Sequence, residues 1–370
     1  MRRTFHTLCR TGRLLLAVAL LTGTSLSAQD YSAQRSLTRH FAADRERTLE
    51  VHNKYGKIEV VSWDRDSVLI EVDMEIRESS SSRLRKLKDD ISVDFNGEGP
   101  YIIARTRFKS ENNRLSSELK SISHTLSGSN KHVEINYRVH APVYMNMILE
   151  NKFGDIFLDD LDGKVNVVLS NGAIQTGHLK GKSQLKLNFA NGMIKALETS
   201  DLELTYSDIS MGSATRLDLE SKSSTLRGDS INVLNINSRR DKLYFKQVEY
   251  FTGNSSFSEV WVYDFIRETD VYMRYGKLNL ERVDPRFSKI YVESDYTDIR
   301  MNLDSRCRFS YDILHHDRAL VRLPEGADGA TASNQGEEHL NTTGIFGSSE
   351  PEAKITINAL QKCFINLSIR

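Results

Sequence analysis

The feature that most restricts this chain is a short frame that recurs every 15 to 21 residues through its middle. In Leu149-Glu-Asn-Lys-Phe-Gly154-Asp-Ile156, an apolar residue stands five before a turn-type residue and another stands two after it. The same frame reads as Val167…Gly172…Ile174, Leu187…Gly192…Ile194, Leu202…Ser207…Ile209, Leu219…Ser224…Leu226 and Ile236…Asp241…Leu243. It continues as Ser258…Val260, with Gly253 in the leading apolar position, then Val271…Gly276…Leu278 and Val292…Thr297…Ile299. The turn residues are 18, 20, 15, 17, 17, 17, 18 and 21 apart, and the frame reappears near the two ends as Val51…Gly56…Ile58 and Ile357…Lys362…Phe364.

Gly, Ser, Asp and Thr at the turn position are residue types that tolerate tight turns. The flanks alternate apolar and polar, as in Gln184-Leu-Lys-Leu-Asn188, the period-2 pattern of a half-buried strand. Seventeen to twenty residues at ~3.3 Å each make a loop of roughly 60 Å, enough for two or three short strands. One such loop cannot bury its apolar row alone, but stacked loops can, each strand pairing with its counterparts above and below. The frame therefore predicts an all-β fold, a single-stranded β-solenoid with coils of about 17–20 residues, right-handed by the general preference of parallel connections. A β-sandwich would break this register, and a propeller would need a period near 40 residues.

Around the repeats the chain divides by composition. Residues 1–28 read as a secretory signal: Arg2, Arg3, Arg10 and Arg13, then the apolar run Leu14–Leu21, then small residues to Ala28. That run is about half the ~20 residues that span a bilayer, and no comparable stretch follows it. Cys9 precedes the run, the wrong side for lipid attachment. The expected location is therefore outside the cytoplasm, in the periplasm or on the cell surface. Residues 29–46 read as a flexible segment, and 47–141 as an N-terminal β cap carrying a helix and loop insertion at 78–130. The insertion opens with a serine-capped helix over Glu78–Asp90. Repeats fill 142–320, a polar loop 321–351, and capping strands 352–370. With the leader removed, 46 basic residues face 50 acidic ones, which gives no electrostatic reason to expect a nucleic-acid partner.

Several segments resemble an uncharacterised bacterial family of adhesin-like proteins with β-strand repeats (DUF4097-like), common in Bacteroidetes-type envelopes. They are Leu49–Val60, Val133–Pro142, Leu149–Ile156 and Ser-Asn-Gly-Ala-Ile174, within a resemblance that covers residues 48–76 and 131–369. It implies a β-repeat fold and an envelope location. It carries no catalytic residues over, and the 78–130 insertion departs from its pattern.

No convergent catalytic set, cofactor motif or metal-ligand spacing stands out. Asp155, Asp159, Asp160 and Asp162 are the densest carboxylates, but Asp at a strand–turn junction is ordinary turn chemistry. His315 and His316 are adjacent in a strand and point to opposite faces, poorly placed to share a metal. Cys307 and Cys363 fall at different phases of the repeat. Aromatic residues concentrate between 244 and 296, and Tyr244, Tyr250, Phe257, Trp261, Tyr263, Tyr272 and Tyr275 form the candidate binding surface. The expected protein is non-enzymatic, an envelope surface for adhesion or scaffolding whose partner is a glycan, a protein or a second copy of the chain. Two other readings stay open: a β-helix polysaccharide lyase or hydrolase, and a periplasmic component of an envelope-response system.

Overall fold

The computed structural model describes residues 31–109, 132–333, 338–347 and 350–370. The segment read as a signal peptide and most of the polar loop of the insertion, from residue 110 on, lie outside them. The N-terminal part contains β1 (Tyr31–Ala42), β2 (Thr48–Lys54), β3 (Ile58–Trp63), β4 (Ser67–Glu78), α1 (Ser81–Asp90), β5 (Ile91–Asn96), β6 (Tyr101–Phe108) and β7 (His132–Pro142). The middle contains β8 (Asn146–Lys152), β9 (Ile156–Leu158), β10 (Val165–Leu179), β11 (Ser183–Thr205), β12 (Asp208–Lys222) and β13 (Thr225–Arg239). It continues with β14 (Lys242–Ser256), β15 (Glu259–Arg274), β16 (Lys277–Val283), β17 (Lys289–Asp295) and β18 (Asp298–Leu303). The C-terminal part holds β19 (Phe309–His316), β20 (Leu320–Arg322), β21 (Asp328–Ser333), β22 (His339–Phe346), β23 (Ala353–Ala359) and β24 (Phe364–Ile369). All 24 strands belong to one sheet.

Through the middle the pairing is parallel. Leu169 stands beside Leu187, Leu202 beside Leu219, Leu219 beside Ile236, and Val271 beside Val292. The 23 residues of β11 exceed the 17-residue offset between adjoining strands, so its two ends lie side by side: Gln184 reaches Asp201 at 3.2 Å and Lys186 reaches Glu203 at 2.8 Å. Each return of the chain is one rung, made of a row before the turn residue and a row after it. Alternate residues of both rows, such as Leu202, Leu204, Ile209 and Met211, join one core. Each such side chain fully buried contributes about 1.5–3 kcal/mol relative to exposure, which a lone rung could not collect.

The observed register corrects the frame in two places. Ala190, not Gly192, stands beside Gly172, while Gly192 lies beside Ile174. The uneven 20 and 15 thereby become 18 and 17. Near the C-terminus Ile357 does stand beside Val292, but Ile365 rather than Phe364 stands beside Ile299, because one extra residue enters that turn.

The ends differ from expectation for reasons of pairing. Residues 31–42, read as part of a flexible segment, form β1, antiparallel to all of β4, with Leu37 and Phe41 packed on the core. Residues 321–351, read as a polar loop, carry the antiparallel pair β21–β22, and β22 also lies antiparallel to β19. The helix of the insertion is present, with Leu87 buried, but Ser80 makes no side-chain cap bond. Cys307 and Cys363 are unbonded buried thiols, each pushed up to about 11 by desolvation. Among the described residues no helix is long and apolar enough to cross a membrane.

Candidate functional site

The turn between the two rows of a rung repeats one backbone device. Tyr55, Phe153, Asn171, Phe189, Tyr206, Ser223, Arg240, Phe257, Tyr275 and Tyr296 all have φ between 50° and 66°, the left-handed region. Each N–H that closes the corner donates to the next rung: Tyr206 to the carbonyl of Lys222 (3.0 Å), Ser223 to Arg239 (2.9 Å), Arg240 to Ser256 (2.9 Å) and Phe257 to Arg274 (2.8 Å). A left-handed non-glycine residue costs roughly 1–2 kcal/mol, so something must offset it at corner after corner.

At the seven aromatic corners, though not at Asn171, Ser223 and Arg240, aromatic stacking supplies an offset. Phe189 and Tyr206 stack with centroids 5.1 Å apart and planes 13° apart. Phe257 and Tyr275 stack at 5.0 Å and 11°, and Tyr275 and Tyr296 at 5.0 Å and 4°. Tyr55 and Phe153 make a further stack at 5.6 Å. Aromatic pairs contribute about 0.5–1.5 kcal/mol beyond area burial, the same size as the backbone cost. The five rings Phe189, Tyr206, Phe257, Tyr275 and Tyr296 nevertheless stay about half exposed, from 47% at Tyr275 and Tyr296 to 58% at Phe189, whereas Tyr55 is buried. The result is an exposed aromatic ladder along one corner, in two runs separated by Ser223 and Arg240.

Behind the ladder the turn residues bind the rungs together. The N–H of Ala190 donates to Ser207 Oγ and that of Ser207 to Ser224 Oγ, both at 3.1 Å. The N–H of Ser224 donates to Asp241 Oδ1 (2.7 Å) and that of Asp241 to Ser258 Oγ (3.0 Å). The buried Asp241 carboxyl group also accepts from Ser221 Oγ, Ser238 Oγ and the N–H of Arg239, which makes four donors in all.

The seven aromatic residues singled out from sequence do not form one surface. Phe257 and Tyr275 are in the ladder. Tyr244 and Trp261 are register neighbours on the outer face of the row after the corner, both half-buried. Tyr263 is exposed on that face beneath the Arg282 guanidinium, 5.7 Å from the ring centre. Tyr272 lies on the row before the corner and donates its hydroxyl to Asp295 (2.8 Å), which raises its pKa. Tyr250 is exposed in β14 away from the corner, one residue before the core residue Phe251. Sequence reasoning missed Phe189, Tyr206 and Tyr296. For Tyr206 and Tyr296 the signal was available, since each immediately precedes a turn residue of the frame, as in Tyr206-Ser207 and Tyr296-Thr297; Phe189 precedes Ala190, which the frame did not mark.

The carboxylates near the first strong turn serve the backbone. Asp155 accepts from the N–H of Ala173 (2.7 Å), Asp159 from that of Ser62 (3.0 Å) and Asp160 from that of His178 (2.7 Å), while Asp162 pairs with Lys180 (2.9 Å). Hydrogen bonding from His178 holds Asp160 below its ordinary pKa. His315 is buried on Thr342 Oγ1 (3.1 Å) and His316 faces Asp317 (2.6 Å). Among the described residues one trio has cation-holding geometry: ligand atoms of Glu75, His132 and Glu134 lie within 4.8 Å of one another. Arg77 already holds Glu75 at 2.6 Å and keeps its pKa low.

No family model matches this chain, and no curated protein does. Among solved structures, it is similar to a proposed cell adhesion protein of Clostridium sporogenes at 10% identity, over 91% of this chain and 100% of that one, with a TM-score of 0.18. It is similar to a proposed adhesin of Parabacteroides distasonis at 12% identity, over 73% and 93% of the two chains, with a TM-score of 0.32. It is also similar to a proposed lipid binding protein of that organism at 12% identity, over 72% and 94%, with a TM-score of 0.28.

Proposed function

We propose that this chain is an exported, non-enzymatic β-solenoid of the cell envelope that binds a partner along its aromatic corner. The observation that carries the reading is the ladder itself. Five rings, Phe189, Tyr206, Phe257, Tyr275 and Tyr296, are kept about half exposed on a backbone conformation that is costly to maintain. Folding alone would be served by glycine or asparagine at these corners, and large exposed aromatic surface is the usual raw material of a binding site. The solenoid reading rests on parallel rungs at offsets of 17 and 18 and on β11 lying beside itself. The non-enzymatic reading is supported by the use of Asp155, Asp159 and Asp160 as backbone acceptors.

The test is binding of the purified chain to polysaccharide and to intact envelope material, compared with a Phe257→Ser/Tyr275→Ser variant of unchanged circular dichroism. Loss of binding in the variant is expected. Equal binding would remove the corner as the site. Digestion of the protein by protease on intact cells, or its survival until lysis, separates a cell-surface from a periplasmic location.

A further inference from the structure

The interruption of the ladder has a chemistry of its own. Tyr206, Ser223, Arg240 and Phe257 occupy four successive rungs. Three steps of ~4.8 Å put the Tyr206 and Phe257 rings roughly 14 Å apart, where stacked neighbours elsewhere on the corner are 5.0 and 5.1 Å apart. No ring stands on the two rungs between them: one carries the small Ser223 side chain and the other Arg240. The face that Tyr206 turns away from Phe189, and the one that Phe257 turns away from Tyr275, look into this gap.

The same rungs gather positive charge. Lys222 and Arg239 are register neighbours just before the corner, Arg240 is at the corner, and Lys242 follows it. All four are exposed. Elsewhere on the outer rows basic residues pair with acids on adjoining rungs: Lys186 with Glu203, Lys246 with Asp229, Lys277 with Glu259, Lys289 with Asp270. Among the described residues no carboxylate lies within 4.0 Å of Lys222, Arg239, Arg240 or Lys242. Of the nearby carboxylates, Glu220, two residues before Lys222 on the same exposed face, lies beyond ion-pair distance of it, and Asp241 and Glu259 are already engaged. Asp241 is buried among its four donors, and Glu259, beside Lys242, is taken by Lys277 at 3.1 Å.

We propose that this notch binds an acidic saccharide, a sugar ring bearing a carboxylate, as in a polyuronate. The aromatic faces of Tyr206 and Phe257 would stack on the C–H faces of sugar rings, and Arg240 with Lys222, Arg239 and Lys242 would pair with the carboxylates. A cationic cluster alone would suit any anion. Its framing by two ring faces selects an anion carried on a flat apolar ring. This inference deepens the proposed corner-binding role and rests on it.

The experiment uses the whole mature chain, with polygalacturonate as probe and a neutral glucan as control, in isothermal titration and affinity electrophoresis. Binding of polygalacturonate that weakens with added salt is expected. Lys222→Gln/Arg240→Gln should reduce it at least tenfold. Ser223→Tyr should abolish it by putting a ring on that rung, and it should fold, because tyrosine already occupies this corner at 206, 275 and 296. Unchanged affinity in both variants overturns the site. So does a wild-type chain that binds anionic phospholipid vesicles but not polygalacturonate. Loss on Phe257→Ser/Tyr275→Ser with no effect of Lys222→Gln/Arg240→Gln overturns the acidic ligand while leaving the corner-binding role standing. No effect of either change removes both.

Discussion

The N–H of Ser224 donates to the carboxylate of Asp241 on the next rung at 2.7 Å, in the place where neighbouring rungs use a serine hydroxyl. Asp241→Ala leaves the N–H groups of Ser224 and Arg239 and two buried serine hydroxyls without this acceptor, and should lower stability by about 2–4 kcal/mol. Asp241→Ser restores the one acceptor that Ser207, Ser224 and Ser258 already provide. Its loss should be roughly half that of the alanine variant. Urea midpoints of the two variants check this, and equal midpoints would show that the column does not depend on inter-rung acceptors.

Tyr275 is stacked on both faces, by Phe257 and Tyr296, while its φ of 52° is unfavourable for any side chain. Tyr275→Ala keeps the backbone cost and loses both stacks, for an expected destabilisation of about 1–3 kcal/mol. Tyr275→Gly loses the same stacks but relieves the backbone, so it should be the more stable of the two. The ordering of their thermal midpoints is the readout; alanine equal to or above glycine would remove the claim that stacking offsets strain at the corner.

How much of this was legible in the chain follows from the same residues. Where the turn is Phe153-Gly154, Asn171-Gly172 or Tyr275-Gly276, glycine marks the place and the rung is read correctly. At Asn191-Gly192 a conventional turn pair drew the reading two residues too far, because the true corner is Phe189-Ala190. An aromatic residue with left-handed φ has no local reason to exist. Its reason is the ring on the next rung, a contact about 17 residues away that a local frame does not contain. The notch was invisible for the same reason, since Lys222 and Arg239 become neighbours only through the register. β1 was missed because its polar alternation is that of an exposed strand, fixed by pairing with β4 rather than by burial.

Gly154 lies where a side chain has no room. A Cβ there would fall on the carbonyl oxygen of Gly56 one rung away, and that oxygen is fixed by a hydrogen bond from Asn151 Nδ2 at 2.8 Å. Gly154→Ala must push two rungs apart, and should cost at least about 3 kcal/mol. Gly99 is the control: its φ is +69° but a Cβ there meets nothing within 4 Å. Gly99→Ala should cost only about 1 kcal/mol, from backbone strain alone. Similar losses at the two sites would mean that the rungs yield at Gly154.

The two turns that carry the chain out of β16 and β18 share an Asp-x-Arg pattern, and they set a measurable pH response. In the second, Arg306 donates to Asp304 through Nε (2.9 Å), Nη2 (3.0 Å) and its own N–H (3.0 Å). These bonds, the guanidinium ones foremost, hold the Asp304 carboxyl down at about 2 from an ordinary 3.8. Asp284 is lowered for the same reason by Arg286, whose Nε, Nη2 and N–H make the same three contacts. A carboxyl lowered on folding contributes stability that is fully present above its unfolded value and is lost as pH falls through its folded value. For Asp304 that window runs from 3.8 down to about 2. Carboxyl carbon shifts followed by NMR should therefore place the Asp304 midpoint near 2, and Arg306→Gln should move it up toward 3.8. Because the pair is exposed to solvent, added salt should shift the midpoint the same way. A midpoint that stays near 2 in Arg306→Gln would assign the shift to some other group.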